Sequence, residues 1–170
     1  MTRFVAPVAL AVVLCGVGAA QPPAPPGPEL DVLKKMVGTW DATMKMDGME
    51  SKGTCVYKMD VGGLWLASEF EGDFGGAKFS GRGYDSYDPS KKKYVGVWLD
   101  SMMPSVMVME GTYDVAKKTM TMEGSVPNPD GMLEKMKTVS VMPDADTIDF
   151  KMYMGDGKAP AFTILYKRKK

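Results

Sequence analysis

Glu69 and Glu71 stand two residues apart in a stretch of alternating hydrophobicity, LWLASEFE. On a strand, that spacing puts both carboxylates on one face, ~7 Å apart. Glycosidases place an acid and a second carboxylate at comparable separations. Two acids on a solvated strand face give the same pattern and are far commoner. Asp85, Asp88, Asp100 and Asp114 each lie near the end of a strand-like segment. Loop carboxylates can hold calcium, but none of these has the D-x-D-x-D-G spacing, and turn formation accounts for all four.

Histidine is absent from the chain. Ser-His-Asp and Cys-His catalysis are therefore excluded, as are histidine-ligated haem, zinc and copper. The two cysteines are Cys15 and Cys55. Cys15 lies in a leader segment, which leaves Cys55 without a disulfide partner and excludes Cys-ligated zinc and iron–sulfur sites. With no histidine to activate it, Cys55 reads as a buried structural thiol. No catalytic residue is assigned, and no metal or other cofactor is expected.

The seventeen methionines are the chain's compositional peculiarity. Met44/Met46, Met107/Met109, Met120/Met122 and Met152/Met154 are M-x-M pairs, each projecting to one face of a strand. Thioethers suit Cu(I), but methionine also fills irregular apolar space and adapts to varied partners. A packed core and an adaptable cavity wall both fit the pattern. In the second case Trp98, Met107, Met109, Met120 and Met122 would contact a ligand, with Glu69 and Arg82 as the few polar groups that orient it. The glycines beside Arg82 obscure the register there, so Glu69 and Arg82 could also face water. Trp98 shares a face with Tyr94, Gly96 and Asp100, opposite Val95, Val97 and Leu99; periodicity does not say which face is the lumen.

The elements that must position these residues follow from period and punctuation. Met1 to Arg3 is a short basic start, Val5 to Cys15 an apolar run, and Gly18-Ala19-Ala20 a small-residue cleavage site. Residues 1–20 thus read as a cleaved signal peptide. The run is too short to cross a bilayer, which takes ~20 apolar residues, and Leu14 does not fit a lipoprotein site at Cys15. Residues 21–28 (QPPAPPGP) form a stiff proline-rich linker. Residues 29–170 are the domain. Glu29 to Val37 has helical spacing at Leu30, Leu33 and Val37. From Gly38 the period becomes two, interrupted at Asp47-Gly48, Gly62-Gly63, Gly75-Gly76, Asp88-Pro89-Ser90, Lys117-Lys118, Pro127 to Gly131, Pro143 to Asp146 and Gly155 to Gly157. About ten short strands with turn chemistry between them predict an all-β fold. An antiparallel up-and-down barrel is favoured over a sandwich because closure leaves no edge. Gly81 and Gly83 predict a bulge or sharp bend.

Gly38-Thr39-Trp40, after a short helix, resembles the G-x-W signature of lipocalin-like barrels. In that family the tryptophan packs near a basic residue of the last strand, which implies Arg168 here. More extensively, the chain resembles the mostly bacterial family known as domain of unknown function 1579. The shared motifs are L-x-x-M-V-G-T-W (Leu33 to Trp40), G-G-L-W (Gly62 to Trp65), G-Y-D (Gly83 to Asp85), K-Y-V-G-x-W-x-D-S-M (Lys93 to Met102), E-G-T-Y-D (Glu110 to Asp114) and Y-x-R-K (Tyr166 to Lys169). The departure is methionine at many positions where leucine, valine or threonine is expected. The resemblance implies a calycin-like barrel and brings no activity.

Lysine plus arginine balance aspartate plus glutamate at 21 each, for a net charge of zero. That argues against nucleic acid as a partner, and Lys167 to Lys170 read as a solvated strand end. The expectation is a periplasmic or secreted barrel that binds a small apolar molecule without turnover. The alternatives are a histidine-independent enzyme working in the cavity and an envelope-associated structural protein with a packed barrel.

Overall fold

The computed structural model describes residues 27–74, 76–128 and 130–170. The expected signal peptide, and all of the linker before Gly27, lie outside them. One short helix, α1 (Glu29–Lys34), precedes ten strands: β1 (Gly38–Met46), β2 (Met49–Asp60), β3 (Trp65–Phe74), β4 (Ala77–Asp88), β5 (Lys93–Asp100), β6 (Met107–Asp114), β7 (Thr119–Pro127), β8 (Leu133–Asp144), β9 (Thr147–Met154) and β10 (Phe162–Arg168). Each strand pairs antiparallel with the next, and β1 pairs with β10 to close the barrel. The up-and-down topology is the one the regular strand spacing predicts.

Turn chemistry fixes the registers. Asp47 (φ 48°) and Gly48 (φ 78°) join β1 to β2 with the paired positive φ values of a tight hairpin. Leu30 and Leu33 of α1 are buried against Leu66, Tyr94, Met120 and Met122. The helix is three residues shorter than its apolar spacing predicts. The chain must turn into β1, and Gly38, at φ 136°, makes that turn where a side chain would be strained.

The barrel therefore has a closed end and a far end. At the closed end Trp40 is almost fully buried and donates from Nε1 to the Met36 carbonyl at 2.8 Å. The Arg168 guanidinium lies over the Trp40 ring, 4.2 Å from its centroid. It donates to the carbonyls of Val37 (2.6 Å) and Lys35 (2.7 Å), carbonyls that end the α1 turn. Its Nε reaches the Ala145 carbonyl and the Asp146 carboxylate. The Tyr94 hydroxyl donates to the Glu29 carbonyl at 2.9 Å, which pins the start of α1. At the far end lie the β1–β2, β3–β4, β5–β6, β7–β8 and β9–β10 connections.

The expected bulge at Gly81 and Gly83 is absent. β3, β4 and β5 run in unbroken register through both glycines, and the irregularity falls instead between Val141 and Asp144, on β8. The glycines instead make room for Trp98 in the lumen.

Candidate binding cavity

Burial and the cavity lining settle which face is inside. On β5 the lumenal residues are Tyr94, Gly96, Trp98 and Asp100. On β4, paired with them, they are Gly81, Gly83 and Asp85, with Gly83 opposite Trp98 and Asp85 opposite Gly96. A Cβ at Gly81 would fall inside the Trp98 indole, and one at Gly83 would stand 3.0 Å from its Cε3. Two glycines on β4 therefore let the indole lie flat against the wall. Trp98 Nε1 donates to Asp100 at 3.1 Å, and Asp100 also accepts from the Met102 amide at 2.8 Å, so the ring is oriented by the loop that follows its own strand.

Behind that wall is a cavity of about 350 Å³. The wall continues from Trp98 to its cross-strand partner Met107 and to Met109 on β6, then to Met120 and Met122 of β7 and, farther round the barrel, Met152 of β9. Toward the far end the lining becomes aromatic, with Phe74, Phe79 and Phe162. These rings pack on one another: Phe74 and Phe79 lie 5.8 Å apart, and Phe74 meets Phe162 edge-on at 6.3 Å. Met102 and Met103 of the β5–β6 loop also line the cavity, and Met102 is 56% exposed. The methionine pairs are thus both core and cavity wall.

Asp85 is the group that sequence reasoning missed. Taken as a turn former, it lies inside the barrel, because β4 continues three residues beyond it to Asp88. Its lumenal neighbours on the ladders are Leu66 and Gly96. A Cβ at position 96 would collide with Asp85 Oδ1, so Gly96 makes the space its carboxylate occupies. Burial alone pushes this carboxyl up to about 7, with no hydrogen-bond donor or cation among the described residues to offset it. No fully sealed side-chain oxygen among the described residues lacks a partner; the unpartnered Asp85 carboxylate therefore opens onto the cavity it lines. One sequence signal pointed to it: Gly81, Gly83 and Asp85 share parity, as do Gly96 and Trp98 opposite them.

The other sequence candidates divide cleanly. Trp98, Met107, Met109, Met120 and Met122 line the cavity. Glu69 and Arg82 do not, since alternation without a bulge puts both on the outer surface. Glu69 pairs with Lys58 at 2.6 Å, and that hydrogen bond holds its carboxyl below the usual range. Arg82 pairs with Glu71 at 2.6 Å. Each glutamate of the supposed pair thus faces water with its own cross-strand cation. Asp88 and Asp114 are turn formers, accepting from the amides of Ser90 and Lys117. Cys55 is buried, and desolvation raises its thiol to about 12, far from a reactive thiolate.

A closed, ten-stranded barrel with a short helix over one end and an apolar lumen is a lipocalin-like architecture. The chain belongs to the family of proteins of unknown function DUF1579, whose model matches residues 25–168. Among solved structures, it is similar to Rv2717c from M. tuberculosis, at 17% identity and a TM-score of 0.59, covering 85% of this chain and 99% of that one. It is also similar to the S-type phycobiliprotein lyase CPES from Guillardia theta, at 11% identity and a TM-score of 0.57, covering 82% and 92% respectively. At those identities the likeness is one of fold. No curated protein sequence matches the chain. Among the described residues, no helix is long and apolar enough to cross a membrane.

Proposed function

We propose that this is an exported, non-catalytic barrel that binds one small, mostly apolar molecule in its lumen. The observation that carries the reading is the cavity of about 350 Å³, within the range of small-molecule sites. As an empty apolar void it would be hard to sustain. A sequence selected only for packing would fill it, and methionine is the residue that would do so most easily. Here the methionines line the space instead.

Binding is favoured over turnover by what surrounds Asp85. The other lumenal carboxylate, Asp100, is held by Trp98 and the Met102 amide. Burial keeps the Cys55 thiol and the Tyr57 and Tyr166 hydroxyls protonated. Among the described residues no second acid or base stands ready beside the first. Export is read from the basic start, the apolar run of Val5 to Cys15 and the small residues that follow.

The test is titration with N-phenylnaphthylamine, a neutral probe that fluoresces in apolar surroundings. We expect saturable binding of one probe per chain, and its loss in Met109→Trp, which fills the lumen, with circular dichroism unchanged. Absence of saturable binding to the wild-type protein would overturn the reading.

A further inference from the structure

We infer that the lumen selects a small organic cation: an ammonium group seated at Asp85, on an aromatic or otherwise apolar body that extends toward the far end. This rests on the reading of the cavity as a binding site and names the class of molecule it takes.

Three observations on the cavity wall converge on that chemistry. The first is charge. Asp85 and Asp100 are the charged side chains among the described residues lining the lumen, and no lysine or arginine joins them there. The basic groups nearest in the fold are committed elsewhere, Arg82 outside to Glu71 and Arg168 at the closed end to three carbonyls. An anionic ligand would meet a carboxylate and no counter-charge. A cation would meet a carboxylate that has no partner of its own, and charge-assisted hydrogen bonds are the strong ones.

The second is depth. Asp85 and Gly96 lie level with Leu66, which packs against the α1 end of the core. Gly81, opposite Asp100 near the far end, is four residues along β4 from Asp85, ~13 Å by strand rise. A ligand with its head on Asp85 therefore has about that length of apolar channel for its body. The third is the set of ring faces around the route. Trp98 lies flat on Gly81 and Gly83, and Tyr57, Tyr166 and Phe70 line the same lumen. Aromatic faces attract cations and stack on aromatic bodies alike. Gly96 is the specificity element: any side chain there would occupy the carboxylate's space.

A matched trio of probes separates head-group choice from apolar binding: naphthylethylamine, naphthylethanol and naphthylacetic acid, followed by quenching of tryptophan fluorescence. At about pH 8 the amine should bind about tenfold tighter than the alcohol, and the acid weakest. In Asp85→Asn the alcohol's affinity should stay within about threefold of wild type while the amine's advantage disappears. The wild-type protein supplies a second readout that needs no variant. Between about pH 8 and pH 5 the amine's advantage should collapse as Asp85 takes up its proton, with the alcohol unaffected. Over that range the amine stays protonated, like a lysine of pKa ~10.4. Of the groups facing Asp85, Cys55, Tyr57, Tyr94 and Tyr166 all have raised values and stay neutral. Tyr87 stands behind Tyr94, and Asp100 is at the far end with Trp98. Equal affinities for amine and alcohol, or an amine preference that survives in Asp85→Asn, would overturn the cation inference and leave the cavity reading standing. Failure of all three probes to bind would overturn both.

Discussion

At the α1 end of the barrel, Arg168 stacks on Trp40 and ties three carbonyls together, and Trp40 in turn donates to Met36. At the other end the second lumenal tryptophan, Trp98, rests on two glycines, donates to an acid at its own strand's end and faces a cavity. Both indoles are oriented by a hydrogen bond from Nε1. The first is packed on all sides and helps hold the barrel shut. The second is packed on one side, and its other face is surface on offer. The same residue type thus makes a lid in one place and a wall in the other, and the difference lies in the neighbours: an arginine and a helix end against glycines and methionines.

That contrast can be broken by substitution. Trp40→Ala should lose the most, about 3–5 kcal/mol by urea denaturation, because it empties a fully packed site. Trp98→Ala should lose about half as much, since one face of its ring already borders open space. Equal losses would mean that the cavity is not there in solution.

Next in size is the pH dependence of stability set by Asp85. The folded protein holds this proton up to about pH 7, whereas the unfolded carboxyl releases it near 3.8. At this site the folded state therefore binds more protons between those values, so the contribution of Asp85 to stability falls as pH rises through that window and levels off above it. Asp85→Asn removes that contribution. At about pH 8 the variant should be more stable than wild type by about 2–4 kcal/mol, and the two should converge below about pH 4. A stability difference between Asp85→Asn and wild type that stays flat across the window would contradict the placement of Asp85.

Gly81→Val should destabilise by about 1–3 kcal/mol through displacement of the indole, and should weaken N-phenylnaphthylamine binding as well. The smallest effects belong to the outer surface. Glu69→Gln and Arg82→Ala remove exposed ion pairs and should leave both the urea midpoint and the probe affinity essentially unaltered.

Much of this fold was legible in the sequence because a barrel writes its period into every strand. The resemblance of Gly38-Thr39-Trp40 to the lipocalin-like signature implied the Trp40–Arg168 contact that the structure shows, and the M-x-M pairs announced one consistent face. The lumen's polar group was not legible, for a definite reason. The outer face of β5 carries Val95, Val97 and Leu99, and Val108 on neighbouring β6 is 58% exposed. The outside there is as apolar as the inside, so alternation gave two faces and no direction. Asp85 was masked by its proximity to Asp88, a real turn former. Glu69 and Arg82 drew attention as charges amid apolar residues, yet each has an outward cross-strand partner that only the register reveals.

The lumen itself can be watched directly through its methionines. With methyl-labelled methionine, titration with N-phenylnaphthylamine should shift the NMR signals of Met107, Met109, Met120 and Met122, which line the cavity. Met49 and Met132, both more than half exposed outside it, should stay in place. Shifts confined to Met49, Met132 and other surface methionines, with the lumenal signals unmoved at saturation, would contradict the claim that this barrel holds its ligand inside.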